Sequence, residues 1–348
     1  MKNISTPGRI CLFGEHQDYL QLPVIAAAIN RRVGISFKTR TDKQIFLDLP
    51  DIKSVDSFHL DSSETYRNQR DYFKSAVNVL RENGFKIETG LNGSVHGNIP
   101  INSGTSSSSA LVVTWVATLL SANGYDFDPQ KVADFAVEAE VLEFGEAGGI
   151  MDQYSTAIGD LIYLDTDKKK VENLPTIEGS FVLGDSGLAK ATQDVLLNNK
   201  SRILNAVESA KKVSPDFDLV SGVYSEEWNL SADEHKVLKA TLRNRDITQE
   251  AKKMLKKSFD GTSFGALLTE EHQILNEVYG LSPVKINDML SAALDAGAYG
   301  GKINGSGGGG CMFVYAPEGT DKVVRAIEDQ GGKAYIIEID KGLKYENE

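Results

Sequence analysis

Several things are scarce in this chain. Cysteine occurs twice in 348 residues, at Cys11 and Cys311, each inside an apolar segment. So few thiols exclude a disulfide scaffold, and the pattern predicts two buried free thiols in a reducing, cytoplasmic setting. Positive charge is also short: 37 Lys and Arg stand against 49 Asp and Glu, a net charge of −12. That balance argues against nucleic acid or an anionic membrane surface as partner. It leaves an anionic small ligand open, since backbone N–H groups and a metal ion can hold phosphate inside an acidic protein. No stretch reaches the roughly 20 apolar residues of a membrane span, and the N-terminus lacks an apolar run of signal-peptide length. Repeats of fixed period are absent. What remains is a long chain of ordinary globular composition, 41% hydrophobic and 25% charged, which suggests two domains or one large α/β unit.

Two familiar nucleotide signatures are missing as well. The Walker A pattern G-x-x-x-x-G-K-[ST] does not occur in the chain's Gly/Ser loop. In KINGSGGGG, Gly305, Gly307 and Gly310 do satisfy G-x-G-x-x-G. A dinucleotide fingerprint, however, follows a strand and opens a helix. Here the helix-like INDMLSAALDAGA precedes the glycines and the strand-like CMFVYAP follows them. That order excludes the dinucleotide reading, and a helix-to-strand turn packed against another backbone is the plainer account.

A better phosphate cradle lies earlier, in NIPINSGTSSSSALVVTWVATLL. A strand leads into a Gly/Ser loop, and the loop opens a helix whose first N–H groups are free and carry partial positive charge. Gly104 allows close backbone approach. Ser106, Ser107, Ser108 and Ser109 offer N–H and hydroxyl donors, and one serine hydroxyl can ligate Mg²⁺. A helix cap would need only one of them.

Carboxylates gather in two further places. GRICLFGEHQDY crowds Arg9, Glu15, His16 and Asp18 around one loop, suited to hydrogen-bonding a polyhydroxylated ligand or simply to solvent. GGIMDQYSTAIG sets Asp152 among small and apolar residues, where a carboxylate needs a partner; Arg9 is the natural candidate, and a helix cap the alternative. On the preceding helix stand Glu138, Glu140 and Glu143. One of these can join a serine on Mg²⁺, an ion that prefers oxygen ligands, while the others occupy an exposed face.

Apolar periodicity predicts strands at 9–13 and 24–38 and helices at 69–84 and 129–144. The first half closes in a polar stretch, 165–178, that reads as a domain boundary. The second half predicts a strand at SFVLGDSG, helices at 190–212, 232–242, 247–257, 263–277, 284–296 and 320–330, and late strands at CMFVYAP and KAYIIEID. The pattern fits an α+β sandwich.

Taken together, PGRICLFGEHQDY, NIPINSGTSSSSAL and GGKINGSGGGGCMF resemble, in order and spacing, the three motifs of the GHMP kinase superfamily, and the first leans towards its galactokinase branch. The resemblance implies a two-domain fold, with an N-terminal domain like ribosomal protein S5 domain 2 over 1–172 and a C-terminal ferredoxin-like domain over 173–348. It implies an ATP- and Mg²⁺-dependent kinase acting on a small molecule, most simply the anomeric hydroxyl of galactose or a related sugar. Asp152 matches the catalytic aspartate, and Arg9 the arginine that orients it and neutralises phosphoryl charge. Glu15, His16 and Asp18 match the sugar ligands. Gly104, Thr105, Ser106, Ser107, Ser108 and Ser109 match the triphosphate loop, and Gly305, Gly307 and Gly308 belong to the motif packed beside it. For the metal, the resemblance implies Ser108 with Glu140, which stands twelve residues before Asp152 where relatives place their glutamate eleven before. LFGEH and GDSGLAKAT are similar to mevalonate kinase segments. Two other expectations therefore stay open: a kinase for another acceptor (uronic acid, pentose, heptose phosphate or mevalonate), and a non-catalytic sugar sensor on the same scaffold.

Overall fold

The computed structural model describes residues 1–60, 65–101, 103–189 and 192–347. Asn102 of the serine-rich segment, and Lys190 and Ala191 of GDSGLAKAT, lie outside the described residues.

Two long strands form the spine, β1 (Lys2–Phe13) and β2 (Val24–Thr39). Where they cross, Ile10 to Phe13 and Val24 to Ala28 are fully inaccessible. A strand covered on both faces reads as a continuous apolar run, and these do. The pair is antiparallel, with register shifts at Pro7/Gly8 and Cys11/Phe13. A proline costs least at such a break, because it has no ladder N–H to give. The sheet continues through β3 (Gln44–Leu49) and β4 (Ser54–His59). After α1 (Tyr72–Glu82) comes β5 (Leu91–Gly97), which joins β2 to β3. α2 (Ser107–Ala122) is buried around almost its whole circumference, as its largely apolar sequence after the opening serines requires. α3 (Pro129–Val137) starts at Asp128, whose side chain accepts from the N–H groups of Gln130 and Lys131, with proline at the first helical position.

The helix expected over 129–144 ends at Val137 and loosens into a π turn over Glu138–Leu142, in which Glu143 N donates to Glu138 O at 2.9 Å. A single widened turn leaves no mark on an apolar repeat, so the sequence pattern reads straight through it. α4 (Met151–Ile158), β6 (Leu161–Asp165) and β7 (Lys170–Asn173) complete this half.

The second half contains β8 (Ser180–Asp185), α5 (Thr192–Val213), α6 (Ala232–Lys257) and α7 (Gly261–Gln273). Then follow α8 (Val284–Asp295), β9 (Gly300–Ile303), β10 (Cys311–Ala316), α9 (Thr320–Asp329), β11 (Lys333–Ile337) and β12 (Lys344–Asn347). Strands β8 to β11 form an antiparallel sheet in the order β11-β8-β10-β9. With the helices between β8 and β9 taken as one crossover, that is the βαββαβ order of a ferredoxin-like unit. The architecture is thus α+β, with one sheet built mainly on the first half and a second on the other.

The helices expected at 232–242 and 247–257 are one helix of 26 residues. RNRD, between them, looks like a breaker but is held by tertiary partners. Arg243 binds Glu250 and Glu270, and the buried Asn244 amide donates to Glu15 O at 3.0 Å. α7 likewise passes into a π turn over Ile274–Val278. The tail returns to the first sheet: β12 pairs with β1, and Arg32 donates to Asp340 and to the carbonyls of Lys341 and Gly342. One face of β1 and β2 packs on α1 to α4, while the other (Ile10, Leu12, Ile25, Ala27) joins the core of the second half. Among the described residues, no helix is long and apolar enough to cross a membrane.

Candidate active site

The loop after β1, the serine loop before α2, the segment from the π turn to α4 and the glycine loop before β10 meet around a cavity of about 390 Å³. Arg9 enters it from β1. Its Nε and Nη2 both donate to Asp152 Oδ1, at 2.9 and 2.7 Å, and its Nη1 donates to Gly104 O. Burial opposes the guanidinium charge, but Asp152 and Glu15 more than offset it, so Arg9 stays protonated. Asp152 lies in the first turn of α4 with 32% of its side chain exposed, and one oxygen remains for a ligand. A single cation thus ties the carboxylate to the serine loop.

The serine loop behaves as a helix N-terminus should. Ser106 is the N-cap residue at φ 60°, and no side chain caps the helix. The first N–H groups of α2 therefore stay available beside the cavity, with Ser106 to Ser109 on its border. Thr105 does not border the cavity. It lies beneath the loop, its Oγ1 2.8 Å from Ser103 Oγ and its carbonyl accepting from Arg9 N.

Gly104 has φ 89°, and a Cβ there would stand 2.4 Å from Asn304 O. Gly305 faces it with the mirror constraint, 2.9 Å from Gly104 Cα. The two loops therefore touch backbone to backbone, bridged by Asn304 Nδ2 donating to Gly104 O at 2.8 Å and Cys311 N donating to Ser103 O. Gly307 and Gly308 do a different job. A Cβ on Gly307 would meet Leu281 Cβ at 2.6 Å, and Gly308 N donates to Leu281 O.

The loop after β1 is held from below. Glu15 Oε2 accepts from Gly305 N at 2.8 Å and from Lys302 Nζ at 3.2 Å. Lys302, wholly buried on β9, also donates to Cys11 O at 2.9 Å. Glu271 of α7 accepts from the N–H groups of Gly14 and Glu15, at 3.1 and 2.9 Å. Burial alone would raise Glu15, but Lys302 and Arg9 hold it below the usual carboxylate range. Lys302 and Glu271 are absent from the sequence reading. A lysine inside the apolar strand GGKI was a usable signal; nothing in LTEEHQ singled out Glu271.

His16 faces Ser306 O through Nε2 at 3.2 Å and Tyr19 OH through Nδ1 at 3.0 Å. Burial pushes it below the ordinary histidine range. The network assigns the proton to Nε2, since a carbonyl can only accept. Asp18 borders the cavity, with Oδ1 accepting from Tyr19 N at 2.9 Å and Oδ2 from Met151 N at 3.3 Å. Burial, with the nearby Asp152 charge, pushes it up to about 6.

Of the three helix glutamates, the π turn brings in Glu140 alone. It is buried, accepts from Gln153 Nε2 at 2.6 Å, and adjoins Ser108 and Ser109. Burial pushes it up to about 7, and it takes part in none of the described salt bridges. Glu138 and Glu143 point elsewhere, to the Asn83 amide and the Tyr66 hydroxyl. A buried carboxylate beside a serine hydroxyl, lacking a cation, fits a Mg²⁺ ligand pair. No group of three or more His, Cys, Asp or Glu side chains suited to a metal occurs among the described residues.

Known proteins resemble this chain in sequence and in fold. Residues 71–160 match the GHMP kinases N terminal domain, 251–333 the GHMP kinases C terminal domain, and 3–39 the galactokinase galactose-binding signature. The mevalonate kinase of Pyrococcus furiosus is 29% identical over 98% of this chain and 97% of its own. The galactokinase of Thermococcus kodakarensis is 28% identical over 91% of this chain and 89% of its own. Among solved structures, Lactococcus lactis galactokinase complexed with galactose superposes with a TM-score of 0.87 at 22% identity, covering 99% of this chain and 94% of that one.

Proposed function

Because this chain belongs to the GHMP kinases, a family that uses ATP as phosphate donor, we propose that it phosphorylates a sugar hydroxyl, that of galactose or a related sugar at the anomeric position. The observation that carries the reading is the Arg9–Asp152 pair set against the open end of α2. Phosphoryl transfer asks for positioning and charge neutralisation more than for covalent chemistry. The free oxygen of Asp152 accepts the acceptor's hydroxyl proton, and Arg9 keeps that carboxylate aimed. The N–H groups of α2 and the Ser106–Ser109 hydroxyls hold the triphosphate. Ser108 and Glu140 would hold Mg²⁺, which when bound supplies positive charge to the phosphates.

On the acceptor side, Asp18 and Asp152 together favour a neutral, hydroxyl-rich molecule. The match to the galactose-binding signature supports the same choice. Residues 1–172 form the catalytic unit in this reading and 173–348 the unit that closes the glycine loop over it, in a cytoplasmic enzyme. A second acceptor class, mevalonate, is favoured by the 29% identity to a mevalonate kinase. It would place a substrate carboxylate near Asp18 and Asp152, with Arg9 already engaged. Coupled ADP release across galactose, other hexoses, pentoses, uronates, heptose phosphate and mevalonate tests the assignment. Turnover on a neutral sugar is expected; turnover confined to mevalonate replaces the acceptor, and no turnover favours a sensor.

A further inference from the structure

A nucleoside triphosphate brings several negative charges into this cavity, whose described border already holds five carboxylates: Glu15, Asp18, Glu140, Glu146 and Asp152. Two arginines stand among the same border residues, Arg9 and Arg70. Arg9 has each of its three nitrogens engaged, two on Asp152 and one on Gly104 O. Arg70 is engaged through Nε and Nη2 alone among the described contacts. It pairs with Glu146, Nη2 donating to Oε2 at 3.0 Å and Nε lying against Oε1, yet 42% of its side chain is exposed. Glu146 also accepts from Tyr72 OH at 3.3 Å, and the phenol is close enough to Glu140 to feel its charge. The pair therefore sits on the side of the cavity where Glu140 and Ser108 lie.

The turn that carries Arg70 is built rather than loose. Asp71 Oδ2 accepts from Arg67 N and Nε at 3.2 and 3.0 Å, and the Arg67 guanidinium forks onto Asp56 at 2.7 and 2.9 Å. Arg70 itself has φ 67°, a left-handed conformation that a non-glycine residue keeps only where its surroundings impose it. A half-exposed ion pair exchanges readily, and a phosphate offers arginine the same forked geometry with more charge.

We propose that Arg70 is a donor-binding residue and that Glu146 holds it in reserve. When the triphosphate enters, the guanidinium leaves the Glu146 carboxylate for phosphate oxygens. The inference rests on the kinase reading of this cavity and adds one residue to its donor side.

Arg70→Gln should raise KM for MgATP by about tenfold, the size expected for loss of a charge-assisted contact. KM for the acceptor and kcat should stay within about twofold. Glu146→Gln should lower KM for MgATP, because the reserve position then holds Arg70 less tightly. Titration of MgATP into wild type and both variants, with no acceptor present, reads the same affinities without turnover, and far-ultraviolet circular dichroism shows whether each variant is folded. An unchanged ATP affinity in folded Arg70→Gln, or a change confined to acceptor KM, overturns the role of Arg70. If Arg70→Gln is not folded, Glu146→Gln alone decides, and an ATP affinity that does not rise overturns the proposal. A wild type that binds no ATP overturns the kinase reading itself, and this inference with it.

Discussion

A carboxylate that accepts sugar hydroxyls must be ionised when the sugar arrives. Asp18 is pushed up to about 6 by burial and by the Asp152 charge. It therefore gains a proton as pH falls through about 6, and the hydrogen bond proposed to the acceptor loses its charge assistance there. We predict that kcat/KM for the sugar falls below pH 6 and that Asp18→Asn gives a lower profile without that limb, measured from pH 5 to 8. At this scale the sequence was most legible where chemistry and motif coincide. Arg9 and Asp152 meet as expected of a carboxylate set among apolar residues, because a buried arginine needs an anionic partner. Glu15, expected as a ligand of the substrate, borders the cavity and turns its Oε2 to Lys302 and Gly305 N. Both partners lie some 290 positions away in the chain, and no local pattern reports such a contact.

Among the elements, the serine and glycine loops depend on each other's missing side chains. Gly104→Ala would thrust a methyl group onto Asn304 O and strain a positive φ at once. We predict a loss of at least tenfold in kcat/KM for MgATP, with the thermal midpoint reduced, since the loops must part for the methyl to fit. Gly307→Val should also impair the enzyme, but through Leu281 rather than through the triphosphate loop; added NAD should have no effect on either variant. Element types were mostly legible from periodicity, and the exceptions are instructive. α6 runs through RNRD because tertiary partners hold Arg243 and the Asn244 amide N–H. The π turn after α3 is invisible to a 3.6-residue repeat, although it selects Glu140 over Glu138 and Glu143.

For the whole molecule, the decisive feature is the buried ion cluster between the two halves. Lys302 joins β9 of the second half to the Glu15 loop of the first, with Glu271 closing the group from α7. Removing the cation leaves buried carboxylate charge unpaired, so Lys302→Met should cost about 3–5 kcal/mol in a denaturant unfolding experiment. Glu271, facing Lys302, Glu15 and Cys11, is raised by burial to about 7 from an ordinary 4.5. Between those values the folded chain holds more protons than the unfolded one, so this group's contribution to stability declines as pH rises from about 4.5 to about 7. Glu271→Gln should therefore gain stability relative to wild type on going from pH 4.5 to pH 8, by about 1–3 kcal/mol. A constant difference between the two proteins would deny that Glu271 titrates in this window. The two-domain outline was readable from motif order, whereas the return of β12 to β1 was not, because the tail carries no motif and its short strand is recognised only by its neighbour.

In the proposed function, Asp152, held by Arg9, drives phosphoryl transfer to a sugar hydroxyl. Comparing wild type with Asp152→Asn for both MgATP affinity and ADP release on the preferred sugar tests it most directly. The account predicts turnover lower by about 10²-fold or more with ATP affinity nearly unchanged. Near-normal turnover in that variant, with the fold intact, would contradict it.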